Sequence, residues 1–297
     1  MQYREQLHSP HVLPIANPAT PKYGQSHYTF RTMHTSALRL PWLEPGDPFP
    51  PVETAWGTAT EAAGLLAAGG ALDVATLTKA YSQGIFPWYS AGQPVLWWSP
   101  NPRMVLQVAH FKLHRSLRKT LGKFSYTPGC ELRIDHDFAA VIAACAGARR
   151  EGQAGTWIVQ DMQDAYCALH AAGHAHSVET WEGGKLVGGL YCTNVGGAVF
   201  GESMFSHASD ASKIALSGLV ALCREYGVTR IDCQQNTAHL ASLGAAEMPR
   251  EAFCAAVALA TQRPAPTWRF EPLYWQHILQ ESLQTPSDHP SDNPSEN

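Results

Sequence analysis

Residues 175–205 read AHSVETWEGGKLVGGLYCTNVGGAVFGESMF, and this stretch decides the fold. Three runs with β-type patterning, Ala175 to Trp181, Lys185 to Asn194 and Ala198 to Phe205, are parted only by Gly183-Gly184 and Gly196-Gly197. Paired glycines reach the positive φ that tight hairpins demand, so the spacing predicts a three-stranded antiparallel meander. Downstream, Ser209 or Asp210 can cap a helix that runs to Tyr226 and stops at Gly227, and Val228 to Gln234 then reads as a strand. Upstream, Asp137 to Cys145 and Val159 to Ala172 are patterned as helices. Farther back, Leu72 to Gln83 makes a short helix, with Asp73 as its N-cap and Gly84 as its stop. Helix, meander, helix and strand in that order predict a layered α+β (α/β-like) protein with a mainly antiparallel sheet.

Around that centre the chain has 297 residues, with 45% hydrophobic, 10% aromatic and 15% charged side chains, which excludes a wholly disordered or coiled-coil protein. No apolar run is long enough to span a bilayer, and no apolar stretch with basic flanks opens the chain, so a membrane or secreted protein is not expected. Seven cysteines without a C-x-x-C pair read as reduced thiols of a cytoplasmic protein. Residues 1–38 and the Pro/Ser/Asp/Asn-rich 283–297 read as a poorly ordered extension and a disordered tail. Between them, 39–102 reads as a small N-terminal domain and 103–282 as a larger one.

Charge is unevenly spread. The net charge is −4, yet from Val74 to Cys130 there is no acid, while Lys79, Arg103, Lys112, Arg115, Arg118, Lys119 and Lys123 contribute +7. A mildly acidic protein with one basic segment suggests a polyanionic partner at a defined place. Within it, Phe111 to Leu121 is predicted to be a helix with Leu113, Leu117 and Leu121 on one side and Lys112, Arg115 and Lys119 on the other. Those cations serve either as a solvated face or as phosphate contacts.

Candidate chemistry sits near the ends of the predicted strands. Alternation puts Ile231 and Cys233 on one face of Val228 to Gln234, and Asp232 with Gln234 on the other, roughly 7 Å apart at the backbone. An amide oxygen can accept a hydrogen bond from a nucleophilic amine while a carboxylate orients the amide or attracts the developing cation. A polar strand end tied to a loop is the alternative. Glu202 lies in an apolar setting, so it is either desolvated beside a cationic ligand or hidden in an Arg or Lys pair. Ser203 lies in G-E-S-M-F, not G-x-S-x-G, which excludes a serine hydrolase on motif grounds. His174 and His176 read as sheet-surface residues, not metal ligands, and no metal is expected. Tryptophans beside Gly and Pro loops, in GIFPWYS, WWSPNPR and GTWI, read as core or as stacking platforms for a base.

Taken together, GIFPWYS, WWSPNPR, GTWI, HAHSVE, LVGGLY, GESMFS, ASK and IDCQ, collinear over about residues 40 to 270, resemble the leucyl/phenylalanyl-tRNA–protein transferase family. The resemblance implies an aminoacyltransferase that moves Leu or Phe, and less readily Met, from aminoacyl-tRNA to proteins beginning with Arg or Lys, feeding the N-end rule pathway. It implies an N-acetyltransferase-like (GNAT-like) domain behind a small N-terminal domain, and no cofactor. Acetyl-CoA enzymes place a Gly-containing pyrophosphate loop before the helix that follows the third strand, whereas Ser206 to Ser212 has no glycine, so coenzyme A is not the expected donor. The resemblance also assigns Asp232, Gln234 and Glu202 to catalysis. It places Leu190, Gly201, Met204, Leu216 and Ile231 around the aminoacyl side chain, and Trp88 and Trp157 around the terminal adenosine. Departures from the family pattern at Leu190, Leu219 and Gly69-Gly-Ala-Leu72 bear on side-chain preference, not on the reaction. Lys112, Arg115 and Lys119 are then expected to meet tRNA phosphates.

Overall fold

The computed structural model describes residues 39–148 and 158–280. The N-terminal part contains β1 (Trp42–Leu43), β2 (Leu65–Gly69), α1 (Val74–Ser82), β3 (Phe86–Pro87) and β4 (Leu96–Trp98). There follow β5 (Arg103–Gln107), α2 (Arg115–Tyr126), β6 (Cys130–Ile134), α3 (Phe138–Gly147) and α4 (Gln160–Ala171). The meander is β7 (Ala175–Glu182), β8 (Lys185–Val195) and β9 (Ala198–Ser206). After it come α5 (Ala211–Glu225), β10 (Arg230–Asp232), α6 (Ala238–Ser242), β11 (Ala246–Met248), α7 (Arg250–Ala260) and α8 (Gln276–Leu279). The poorly ordered extension, the tail and Trp157 of the sequence reading lie outside the described residues.

Local chemistry sets several boundaries. The Asp73 carboxylate accepts a hydrogen bond from the Thr76 amide at 2.7 Å, and Asp137 does the same for Ala140 at 3.0 Å, so α1 and α3 begin at side-chain caps. Gly183 and Gly184 both have positive φ in the first hairpin, whereas only Gly196 of the second pair does.

The strands form two sheets, one ordered β1-β2-β4-β3 and one ordered β11-β5-β10-β9-β8-β7-β6. The larger sheet is antiparallel except where β10 lies parallel to β9. Its two faces carry separate cores. Tyr191 and Phe200 join the N-terminal sheet, α1, α3 and α4, while Leu190, Cys192 and Val199 join α2 and α5. The start of α5 closes directly onto β8, because a Cβ at Gly188 would stand 2.4 Å from the Ala211 Cβ.

Three expectations change. The basic helix begins at Arg115, not Phe111, because the preceding chain is tied to the turn after α6: the Lys112 amide donates to the Leu243 carbonyl at 2.9 Å, and the His114 ring bonds to the Ser242 carbonyl at 2.8 Å. Lys112 therefore precedes the helix, although it, Arg115 and Lys119 are all exposed. The strand predicted over Val228 to Gln234 ends at Asp232. His176 is buried, not on the surface: it bonds to Asp135 at 2.7 Å and stacks on Trp268 at 4.0 Å. Strands β2 and β5 were not foreseen, since a strand buried on both faces carries no alternation to read.

Candidate active site

The site forms where β9 and β10 part. Their parallel register is Ile231 with Val199 and Asp232 with Phe200, after which β10 stops and β9 runs on to Ser206. The chain leaving β10 follows β5 instead: the Cys233 amide donates to the Met104 carbonyl at 2.9 Å, and the Met104 amide to the Gln234 carbonyl at 3.3 Å. Between the diverging chains lies a cavity of about 400 Å³. Its apolar wall includes Leu190, Met204, Leu216, Leu219 and Ile231, and Glu202 and Gln234 also line it.

A bulge aims Glu202. Tyr191 pairs with Ser203 and Cys192 with Gly201, so Glu202 is the extra residue on β9. The bulge shifts the alternation by one, which sends Met204 to the α5 core and Phe205 to the opposite one. The Glu202 carboxylate accepts hydrogen bonds from the Thr193 hydroxyl at 3.2 Å and the Tyr166 hydroxyl at 3.4 Å, and Tyr166 in turn bonds to Tyr81. Desolvation first, and the nearby Asp232 charge second, push its pKa from 4.5 up to about 8. Among the two settings expected for Glu202, the structure gives the desolvated one, with hydroxyls as partners.

The expected alternation at β10 fails in an informative way. Ile231, Cys233 and Gln234 line the cavity together, while Asp232 turns away to Arg103. Gln234 has φ of 54° and centres a γ-turn in which the Gln235 amide donates to the Cys233 carbonyl at 2.6 Å. Arg103 grips Asp232 with Nε on Oδ1 at 2.8 Å and Nη2 on Oδ2 at 2.6 Å, in full burial. Asp232 Oδ1 also accepts from the Gln234 amide at 3.0 Å. Arg103 is the residue that sequence reading missed. A cation opening the apolar run Arg103-Met-Val-Leu106 was the available signal, because a buried guanidinium demands an acid.

Other predicted residues fall elsewhere. Trp88 is half-buried against Trp98, 5.4 Å between ring centroids, and is not among the cavity's lining residues. The α6 residues Thr237, His239 and Leu240 line the cavity without having been foreseen. Burial pushes the Cys233 thiol up to about 12, which disfavours the thiolate that a nucleophilic cysteine needs.

An α+β protein with a largely apolar pocket, lined by a desolvated carboxyl and a single side-chain amide, is the class that this fold and site define. Family models described as leucyl/phenylalanyl-tRNA protein transferase and its N-terminal domain match residues 105–258 and 70–101. A leucyl/phenylalanyl-tRNA--protein transferase of Albidiferax ferrireducens is 60% identical over 247 residues, covering 83% of this chain and 97% of its own. One from a Polaromonas species is 62% identical over 246 residues, covering 83% and 96%. A solved structure of L-PGS from Bacillus licheniformis covers 73% of this chain and 71% of its own at TM-score 0.30 and 14% identity, too loose a likeness to bear on the chemistry. The chain belongs to the leucyl/phenylalanyl-tRNA–protein transferase family and is an aminoacyltransferase. No helix among the described residues is long and apolar enough to cross a membrane.

Proposed function

We propose that this chain transfers Leu and Phe, and less readily Met, from aminoacyl-tRNA to the α-amino group of proteins beginning with Arg or Lys, supplying substrates for N-end-rule degradation in the cytoplasm. The observation that carries the reading is the largely apolar cavity of about 400 Å³ that Gln234 and Glu202 also line. The order of helices around the meander supports an N-acetyltransferase-like domain over 103–282 behind a small domain at 39–102.

The ester joining an amino acid to ribose is already activated, so positioning supplies most of the acceleration. Gln234 Oε1 accepts a hydrogen bond from the acceptor amine as it attacks the ester carbonyl. Asp232, whose oxygens are held by Arg103, fixes the backbone of Gln234 and does not act as a base. The high thiol pKa of Cys233 supports transfer without a covalent enzyme intermediate. Glu202 faces the acceptor's cationic side chain. Trp88 and Trp157 hold the terminal adenosine.

Radiolabelled Leu supplied on tRNA, with an Arg-initiated peptide as acceptor, tests the reading. Label should enter the peptide, and acyl-CoA should not replace the tRNA; label retained on the protein without transfer would mark a binding adaptor instead. Ile231→Phe narrows the pocket, so the Phe-to-Leu ratio of kcat/KM is expected to fall by roughly tenfold or more. An unchanged ratio would place the side chain elsewhere. Removing Lys112, Arg115 and Lys119 together should weaken tRNAs of different sequence alike and shallow the log–log salt dependence by about three units, one per lost cation. An aminoacyl-adenosine donor should be spared.

A further inference from the structure

Gln234 is firmly held for a residue whose side-chain N–H donor has no partner among the described residues. The γ-turn puts a non-glycine residue at φ of 54°, a conformation that persists only where the surroundings enforce it. Three ties do so: Asp232 Oδ1 on its amide at 3.0 Å, the Met104 amide on its carbonyl at 3.3 Å, and Arg103 behind Asp232. The residue is 9% exposed, and Nε2 of its side chain is buried without a hydrogen-bond partner among the described residues. A buried, unfilled N–H donor costs about 1–3 kcal/mol, so a fold that pins one in place gains only if something supplies the acceptor. The cavity that Gln234 lines is where the donor's ester would lie under the function proposed above, on which this inference rests.

We infer that Gln234 uses both ends of its amide at once: Oε1 takes the hydrogen bond of the attacking amine while Nε2 donates to the ester carbonyl oxygen as it becomes an oxyanion. The geometry of the two partners matches. In the amide, oxygen and nitrogen are separated by one carbon. In the tetrahedral adduct, the attacking nitrogen and the oxyanion are also separated by one carbon. A single planar amide can therefore meet both atoms side by side. Charge grows on that oxygen only in the transition state, so a donor fixed in advance in a desolvated site accelerates the step and does not merely tighten binding.

The step balances without another reactant. The neutral amine's nitrogen forms a bond to the ester carbon, and the carbonyl π pair moves onto the oxygen held by Nε2. When the adduct collapses, that pair re-forms the carbonyl and the bond to the ribose oxygen breaks. The proton lost by the amine ends on the ribose hydroxyl. The products are a peptide bond and deacylated tRNA.

Gln234→Glu, assayed above pH 8 where a carboxyl in this cavity is ionised, separates the two ends, because a carboxylate keeps oxygen acceptors at the same reach and has no donor. With full-length protein, Leu-tRNA and an Arg-initiated peptide, kcat is expected to fall by about 10²–10³-fold, the loss typical of one oxyanion donor. KM for the donor should stay within about threefold. A tetrahedral phosphonate analogue of leucyl-adenosine should lose affinity in parallel with kcat, while the planar amide analogue should bind as to wild type. A kcat loss of less than about tenfold, or equal losses for the two analogues, would overturn the inference. A measurement on the unmutated protein guards against a variant that folds poorly: with ¹⁵N-glutamine labelling, a Gln234 side-chain N–H resonance should move downfield with the phosphonate and not with the planar amide. Absence of that movement also overturns it. Failure of the proposed function shows differently, as wild-type protein that does not transfer Leu at all.

Discussion

Arg103→Met is expected to destabilise the protein by about 3–5 kcal/mol and to abolish transfer, since it leaves Asp232 as a buried, unpaired carboxylate. Arg103 is fully buried, and it does more than neutralise. Its Nη1 donates to the Gly84 carbonyl at 3.2 Å, and its guanidinium lies 4.7 Å from the Phe86 ring centroid and 4.6 Å from that of Phe253. One side chain thus joins the N-terminal sheet, α7 and the end of β10. Loss of stability alone would leave the role in catalysis open, so the double variant Arg103→Met/Asp232→Leu is the sharper test. Replacing both members of a buried ion pair by apolar groups is often neutral or stabilising. The double variant should therefore regain most of the stability in a denaturant titration. It should not regain transfer, because the Gln234 amide still lacks Asp232 Oδ1. A double variant that transfers Leu like wild type would show that the pair serves folding only.

The meander was legible because its glycine pairs and its run lengths speak directly of local backbone geometry, and β7, β8 and β9 lie where those signals put them. The caps of α1 and α3 were legible for the same reason. What could not be read depends on contacts distant in sequence. Asp232 and Gln234 follow the alternation of a strand that ought to continue, yet Arg103, 129 residues away, takes the carboxylate and β5 draws off the following chain. Once that happens, Gln234 is turned to the cavity side by its own backbone, where Ile231 and Cys233 already point. The Glu202 bulge is equally silent in sequence, because one extra residue in a ladder leaves no mark on composition. The basic segment misled in one respect. Counting charges treats all seven cations alike, whereas Arg103 belongs to the core and Arg118 is half-buried with Nη1 on the Leu279 carbonyl at 2.8 Å.

Glu202→Gln is expected to make the protein more stable and its function worse. A carboxyl whose pKa rises from 4.5 unfolded to about 8 folded binds its proton more tightly in the folded state. Its contribution is therefore intact below pH 4.5 and lost progressively as pH rises through 8. The slope is about 1.4 kcal/mol per pH unit inside that window, with a total on the order of 5 kcal/mol at most. Glutamine can still take hydrogen bonds from the Thr193 or Tyr166 hydroxyl and has no proton to lose. The stability difference between Glu202→Gln and wild type, measured by denaturant unfolding from pH 4 to 9, should thus climb across the window and level off above it. Subtracting one protein from the other cancels every titration they share. A flat difference would mean that the carboxyl ionises near its ordinary value. On the function proposed above, an Arg or Lys side chain arriving beside Glu202 brings a counter-charge to its carboxylate and drives the proton off. Acceptor binding should therefore release a proton below pH 8 and tighten as pH rises toward it, in wild type only. In the variant, KM for an Arg-initiated peptide should rise at least tenfold at neutral pH and lose its pH dependence, while KM for the Leu-tRNA donor changes little.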